Sequence, residues 1–162
     1  MGLEQFCHWL GNTATGTALR ESLWVFPILE TIHVLAIALL CGTAAIFDLR
    51  LLGLLLQGES VRSVQRRVMP LAWAGAVVLL GSGALLFWAG AEKLYANPAF
   101  RVKLLLLVIA GVNPLLFHFG VYRRIADWDL DAIAPPAARR AAWTSLAVWS
   151  GVIIAGRAIA YL

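Results

Sequence analysis

Four long apolar runs, separated by short polar segments, limit what this chain can become more than any other feature of its sequence. A run of about 20 apolar residues is what an α-helix needs to span roughly 30 Å of hydrocarbon. In lipid every backbone N–H and C=O must be satisfied internally, so such runs are helices. The runs cover about 23–47, 69–91, 100–122 and 141–162. Composition agrees: of 162 residues 61% are hydrophobic and 14% charged, too few polar groups to coat a soluble domain of this size. The expected fold is therefore all-α, a single integral membrane domain over 1–162 built as a four-helix bundle.

Residues 1–21 are too polar to cross. Leu3, Phe6, Cys7 and Leu10 follow the i, i+3, i+4, i+7 spacing of a short amphipathic helix lying in the interface, stopped at Gly11-Asn12. Glu4 precedes any basic residue and the first long apolar run begins near Leu23, which speaks against a cleaved signal and for a retained span. Pro27 falls in the opening turns of that span, where its missing N–H costs least. A polar, arginine-rich connector is expected over 57–67, with Met69-Pro70 opening the second span. Gly75, Gly81, Gly83 and Ala84 in that span let helix backbones approach closely. Asn97-Pro98 signals a tight turn before the third span, which contains Pro114 and should kink there. The longest loop is expected over 123–140.

The formal charge of +4 rests on 11 Arg against 2 Lys. These bases flank apolar runs, so they read as headgroup contacts and topology signals, with no nucleic-acid partner implied. Arg50, Arg62, Arg66 and Arg67 mark the first connector, and Arg123, Arg124, Arg139 and Arg140 the third. The second connector has only Lys93 and Arg101. By the positive-inside rule, both termini and the second connector face outward. Trp24, Trp88 and Trp143 fall near span boundaries as an aromatic belt, whereas Trp73 and Trp149 lie deeper and suit packing. Cys7 and Cys41 sit in different segments with no metal-binding spacing, so Cys41 reads as a small buried side chain.

Titratable side chains within a span are costly and are functional candidates by default. Five qualify: Glu30, His33, Lys103, His118 and Arg157. His33 lies about 15 Å along the first span. Ala36 and Ala44 on its face would leave a shallow groove, partly filled by Ile37 and Leu40. Its imidazole is either a ligand for a cofactor or a histidine bonded to a neighbouring helix. Glu30, one turn away in Glu-Thr-Ile-His, would orient that ring or pair with a base; no second ExxH is present for a two-metal site. Lys103, a few residues inside the third span, either reaches the outer headgroups or, since the first and third spans run parallel, shares the outer half and one ligand with His33. His118 lies about 27 Å along the third span, about 12 Å off the level of His33, which argues against both histidines serving one iron. It is left for a second site or for the inner headgroups. Arg157 sits just under the outer surface, where it either reaches the headgroups or pairs with an anionic group.

The order of these features is familiar. The first span ends in Asp48-Leu49-Arg50-Leu51-Leu52-Gly53, the second begins Met69-Pro70-Leu71-Ala72 and passes Gly81-Ser82-Gly83, and the third opens Asn97-Pro98-Ala99-Phe100-Arg101-Val102-Lys103-Leu104. This resembles the superfamily of HemJ-type protoporphyrinogen oxidases and CopD copper-resistance membrane proteins, most closely a bacterial branch of four-span proteins with an Asp-Leu-Arg-Leu-Leu-Gly motif. The resemblance to a bacterial branch implies a location in the bacterial inner membrane, where termini facing outward by the count of bases are periplasmic. It also implies a b-type haem, with roles for a first-span histidine and a Lys-Leu lysine that map onto His33 and Lys103-Leu104. The residues after the Arg-Leu pair depart from the HemJ pattern, so the oxidase activity is not carried over.

The function expected on these grounds is a membrane haem b protein in electron transfer or haem-linked redox chemistry. His33 would be the axial ligand of the iron, Lys103 a second ligand or nearby base, and Arg157 a propionate partner. An accessory or assembly subunit of a larger membrane complex is the non-catalytic alternative. Copper handling is a third, against which stand only two methionines and no clustered cysteines. A redox partner, a larger complex or a second copy of the chain are the partners to be expected besides lipid.

Overall fold

The computed structural model describes residues 2–161, and among them only helices and connecting turns occur. The elements are α1 (Leu3–Gly11), α2 (Ala14–Glu21), α3 (Val25–Leu51), α4 (Val61–Ala89), α5 (Ala91–Ala96), α6 (Pro98–Phe119), a 3-10 turn (Val121–Asp127) and α7 (Pro136–Ala158). Helices α3, α4 and α6 are long and apolar enough to cross a membrane. Most of their apolar surface faces outward: Val77, Leu80, Leu105, Val108 and Leu116 are all more than half exposed, as contact with lipid requires. Helix α7 has 23 residues, but Trp143, Thr144, Ser145, Trp149, Ser150 and Arg157 dilute its apolar stretch, and it is not among the three.

Packing does not give the expected closed four-helix bundle. Helix α3 packs along α4, α7 along α6, and α3 against α7, so the order is α4–α3–α7–α6. The edge helices α4 and α6 are not packed along their lengths; Phe87 and Phe100 stack with centroids 5.5 Å apart where α5 joins them. The physical reason is that lipid tails are as apolar as leucine, so burial of apolar faces gives no drive to close the ring. What holds α3 to α4 is close approach. A Cβ built on Gly75 would stand 3.0 Å from the backbone N of Leu40.

Several boundaries differ from those expected. A second short helix, α2, follows α1, capped by Thr13, whose Oγ1 accepts from the N–H of Gly16. These two helices seat on the α4–α5 end. Trp88 Nε1 donates to Thr13 Oγ1 at 2.9 Å, and Arg20 donates to the carbonyls of Gly11 and Ala89. Cys7 and Gly11 of α1 are buried there, while Leu3, Phe6 and Trp9 remain exposed. Helix α4 begins eight residues ahead of Met69, with Pro70 inside it, so Arg62, Arg66 and Arg67 stand on helix rather than in a connector. Its first N–H groups find acceptors on the third connector: Val61 donates to Asp129 O and Arg62 to Asp129 Oδ1 at 2.8 Å. Pro114 lies inside α6 without ending it. Trp73, expected in packing, is 66% exposed, and Cys41 is only half-buried.

The compact core lies where the first and third connectors meet. Phe47, Leu51, Leu52, Val61, Val64, Phe117, Ile125 and Trp128 form it with three alanines of the loop and of α7. The Asp-Leu-Arg-Leu-Leu-Gly segment builds this junction. Arg50 is fully buried, and its guanidinium donates to three carbonyls: Glu59 at 2.8 Å, Asp131 at 3.0 Å and Ala132 at 3.4 Å. Leu51 O accepts from Ala134 N–H. Gly53 turns the chain with φ +72, and a Cβ there would stand 2.9 Å from Ala132 O. Gly53→Ala is therefore expected to destabilise by about 1–2 kcal/mol from the left-handed backbone alone, and more from the clash. Thermal unfolding in detergent measures it.

Candidate functional site

His33, half-buried on α3, turns toward α4. Its Nδ1 lies 2.9 Å from Ser82 Oγ, so the ring makes the bond to a neighbouring helix that the sequence left open as the alternative to ligation. A Cβ on Gly83 would stand 3.2 Å from the His33 Cε1, so a glycine makes the space in which the ring lies. The relief beside the imidazole thus comes from α4 and not from Ala36 and Ala44 of its own helix; Ala36 is itself buried. Sequence reasoning quoted Gly81-Ser82-Gly83 as a motif but gave Ser82 no role, because nothing in the spacing says which residue of α4 meets His33.

The serine decides the state of the ring. Ser82 Oγ lies 2.6 Å from Val78 O, one turn earlier, and its single proton is donated there. Its oxygen therefore accepts, and His33 Nδ1 carries the hydrogen. With Nδ1 donating, Nε2 is the nitrogen that carries a lone pair whenever the ring is neutral.

Lys103, half-buried on α6, lies over Gly156 of α7: a Cβ there would meet Nζ at 3.7 Å and Cε at 3.8 Å. His33 thus packs on α4 and Lys103 on α7, and among the described residues no hydrogen bond joins the two. Each lies over a glycine of a neighbouring helix.

The other three candidates stand apart. Glu30 is exposed on α3 and takes part in no hydrogen bond or ion pair among the described residues. His118 is exposed in the last turn of α6, stacked on Tyr122 with centroids 5.5 Å apart and edge-on to Phe119. It lies 15 residues beyond Lys103, about 22 Å along the helix, and is not a second ligand for a site at His33. Arg157 is exposed, donates to Tyr161 Oη at 2.6 Å and covers that ring with its guanidinium 5.0 Å from the centroid. Cavities at the connector end lie away from these residues. One, about 400 Å³, is lined by Ser60, Arg62, Ser63, Arg66, Arg67 and Asp129. Among the described residues no three His, Cys, Asp or Glu side chains converge on a point.

Residues 7–162, nearly the whole chain, match the family described as "Family of unknown function (DUF6644)". The chain belongs to the DUF6644 family. The match takes in α3 through α7, so Asp48-Leu49-Arg50-Leu51-Leu52-Gly53, His33, Ser82 and Lys103 all lie within the DUF6644 region. No curated protein and no solved structure matches this DUF6644 chain. The likeness to HemJ-type and CopD proteins therefore rests on the short motifs quoted above.

Proposed function

We propose that this DUF6644 protein crosses the bacterial inner membrane four times, α7 included, with both termini outside, and binds haem b through His33 for electron transfer. The observation that carries this reading is the Ser82 contact. A histidine that ligates a metal typically donates its other ring N–H to a fixed acceptor, and that acceptor sets the tautomer and orientation. Ser82 is placed to do this for His33, and Nε2 would then be the nitrogen offered to the iron. One nitrogen and an amine suffice for a haem, which needs one or two axial ligands from the protein. When bound, haem supplies one-electron redox chemistry.

This chain's own residues would then do four things. His33 would hold the iron by Nε2, and Ser82 would hold His33. Lys103 would stand at the same level as a second ligand or a base. Arg157 would exchange its Tyr161 contact for a propionate. Glu30 and His118 would take no direct part.

A purified sample with a Soret band and a pyridine haemochrome is the expected result. A colourless preparation, also after growth with added haem precursor, overturns the reading. One observation favours an accessory subunit in that event: Gly42, Gly81 and Gly111 leave open spots on the faces of α3, α4 and α6, where another helix could approach. Stoichiometric co-purification with other membrane subunits is what that alternative expects.

A further inference from the structure

Asp48, the first residue of the Asp-Leu-Arg-Leu-Leu-Gly segment, is used by neither the haem reading nor the junction that Arg50 ties together. It lies at the connector end of α3 and is only 6% exposed. Its Oδ2 is sealed from solvent and has no hydrogen-bond partner. Ser145 of α7 faces the carboxyl. A carboxylate accepts up to about four hydrogen bonds, so one hydroxyl cannot replace the water it has lost.

No cation replaces it either. Among the described residues the single ion pair is Arg67–Glu59. Arg50 is buried nearby in sequence, but its guanidinium is committed to the carbonyls of Glu59, Asp131 and Ala132. The two helices packed against this end of α3 carry Arg62, Arg66 and Arg67 on α4 and Arg139 and Arg140 on α7. All five are exposed, as is Arg157 at the far end of α7. A buried carboxylate with a single hydroxyl donor and no counter-charge is strongly disfavoured, and taking up a proton removes the charge.

We propose that Asp48 is a proton-binding site: its buried carboxyl holds a proton and exchanges it with the solution at the connector end. This goes beyond the haem reading and does not depend on it.

Infrared spectra of the full chain in lipid test the idea directly. Wild type is expected to show the carbonyl band of a protonated carboxylic acid, absent in Asp48→Asn. That band should give way to carboxylate absorption as pH rises, with the protonated-to-ionised ratio falling about tenfold per pH unit. An identical carbonyl band in folded Asp48→Asn overturns the proposal.

A second measurement needs no variant. Dicyclohexylcarbodiimide enters apolar sites and reacts with protonated carboxyls. The acid proton passes to a carbodiimide nitrogen, the carboxylate oxygen adds to the central carbon, and the acyl group migrates to nitrogen as a stable N-acylurea. Nothing leaves and nothing is oxidised. Peptide mapping should find Asp48 carrying one carbodiimide at about pH 5, with labelling slowing as pH is raised. Exposed Glu30 provides the internal control. Labelling of Glu30 with none at Asp48 overturns the proposal. So does protection of Asp48 by sodium but not by choline, which would assign a metal cation in place of the proton.

Discussion

Arg50→Ala is expected to lower the unfolding free energy by about 4 kcal/mol. The side chain is fully buried and its three recipients are backbone carbonyls from two different connectors. Truncation strips all of them at once and leaves a cavity among close-packed residues, so the desolvation cost of each carbonyl adds to the lost volume. Arg50→Lys should recover only part of this. A lysine keeps the charge but presents a single ammonium where a planar fork reaches carbonyls of Glu59, Asp131 and Ala132 together. Arg66→Ala is the control, because that side chain is exposed on α4, and a change within about 0.5 kcal/mol is expected there. Thermal or denaturant unfolding in detergent reads all three. Equal midpoints for Arg50→Ala and Arg66→Ala would mean that the junction is not held as described.

The second large effect is expected on the haem proposed to bind at His33. His33→Ala should abolish the Soret band, since it removes the nitrogen offered to the iron. His118→Ala should leave it unchanged, because that ring is exposed and stacked on Tyr122 at the opposite end of α6. Ser82→Ala is the informative variant. It keeps the ligand but removes the acceptor that fixes the tautomer, so haem affinity should fall about 10–100-fold with the fold intact. A Ser82→Ala protein with wild-type haem occupancy under limiting haem would detach the serine from the site. Loss of the band in His118→Ala and its retention in His33→Ala would reverse the assignment.

Much of this was legible in the residues. Phe6 and Cys7, Leu29 to Phe47 and Leu104 to Phe117 form helices because lipid or the interface leaves an apolar backbone no other way to satisfy its polar groups. The start of α4 did not follow: Pro70 suggested an opening, but the acceptors for Val61 and Arg62 are supplied by Asp129, 67 residues away for the Arg62 pair. Arg50 looked like a topology signal, because a buried arginine and a headgroup arginine are the same letter at the end of an apolar run. Trp73 was expected to pack because its depth in the span was readable and its facing direction was not.

The sequence by itself determined that this chain is helical and apolar enough to enter a membrane, since hydrocarbon imposes that on each segment independently of its neighbours. Only the tertiary structure decided that Ser82 meets His33, that Arg50 joins two connectors, that Asp48 is left unpartnered, and that α4 and α6 do not close a ring. Those outcomes depend on which helix faces come together. In lipid, close packing and a few polar contacts choose them, and neither is written in the hydropathy of any one span.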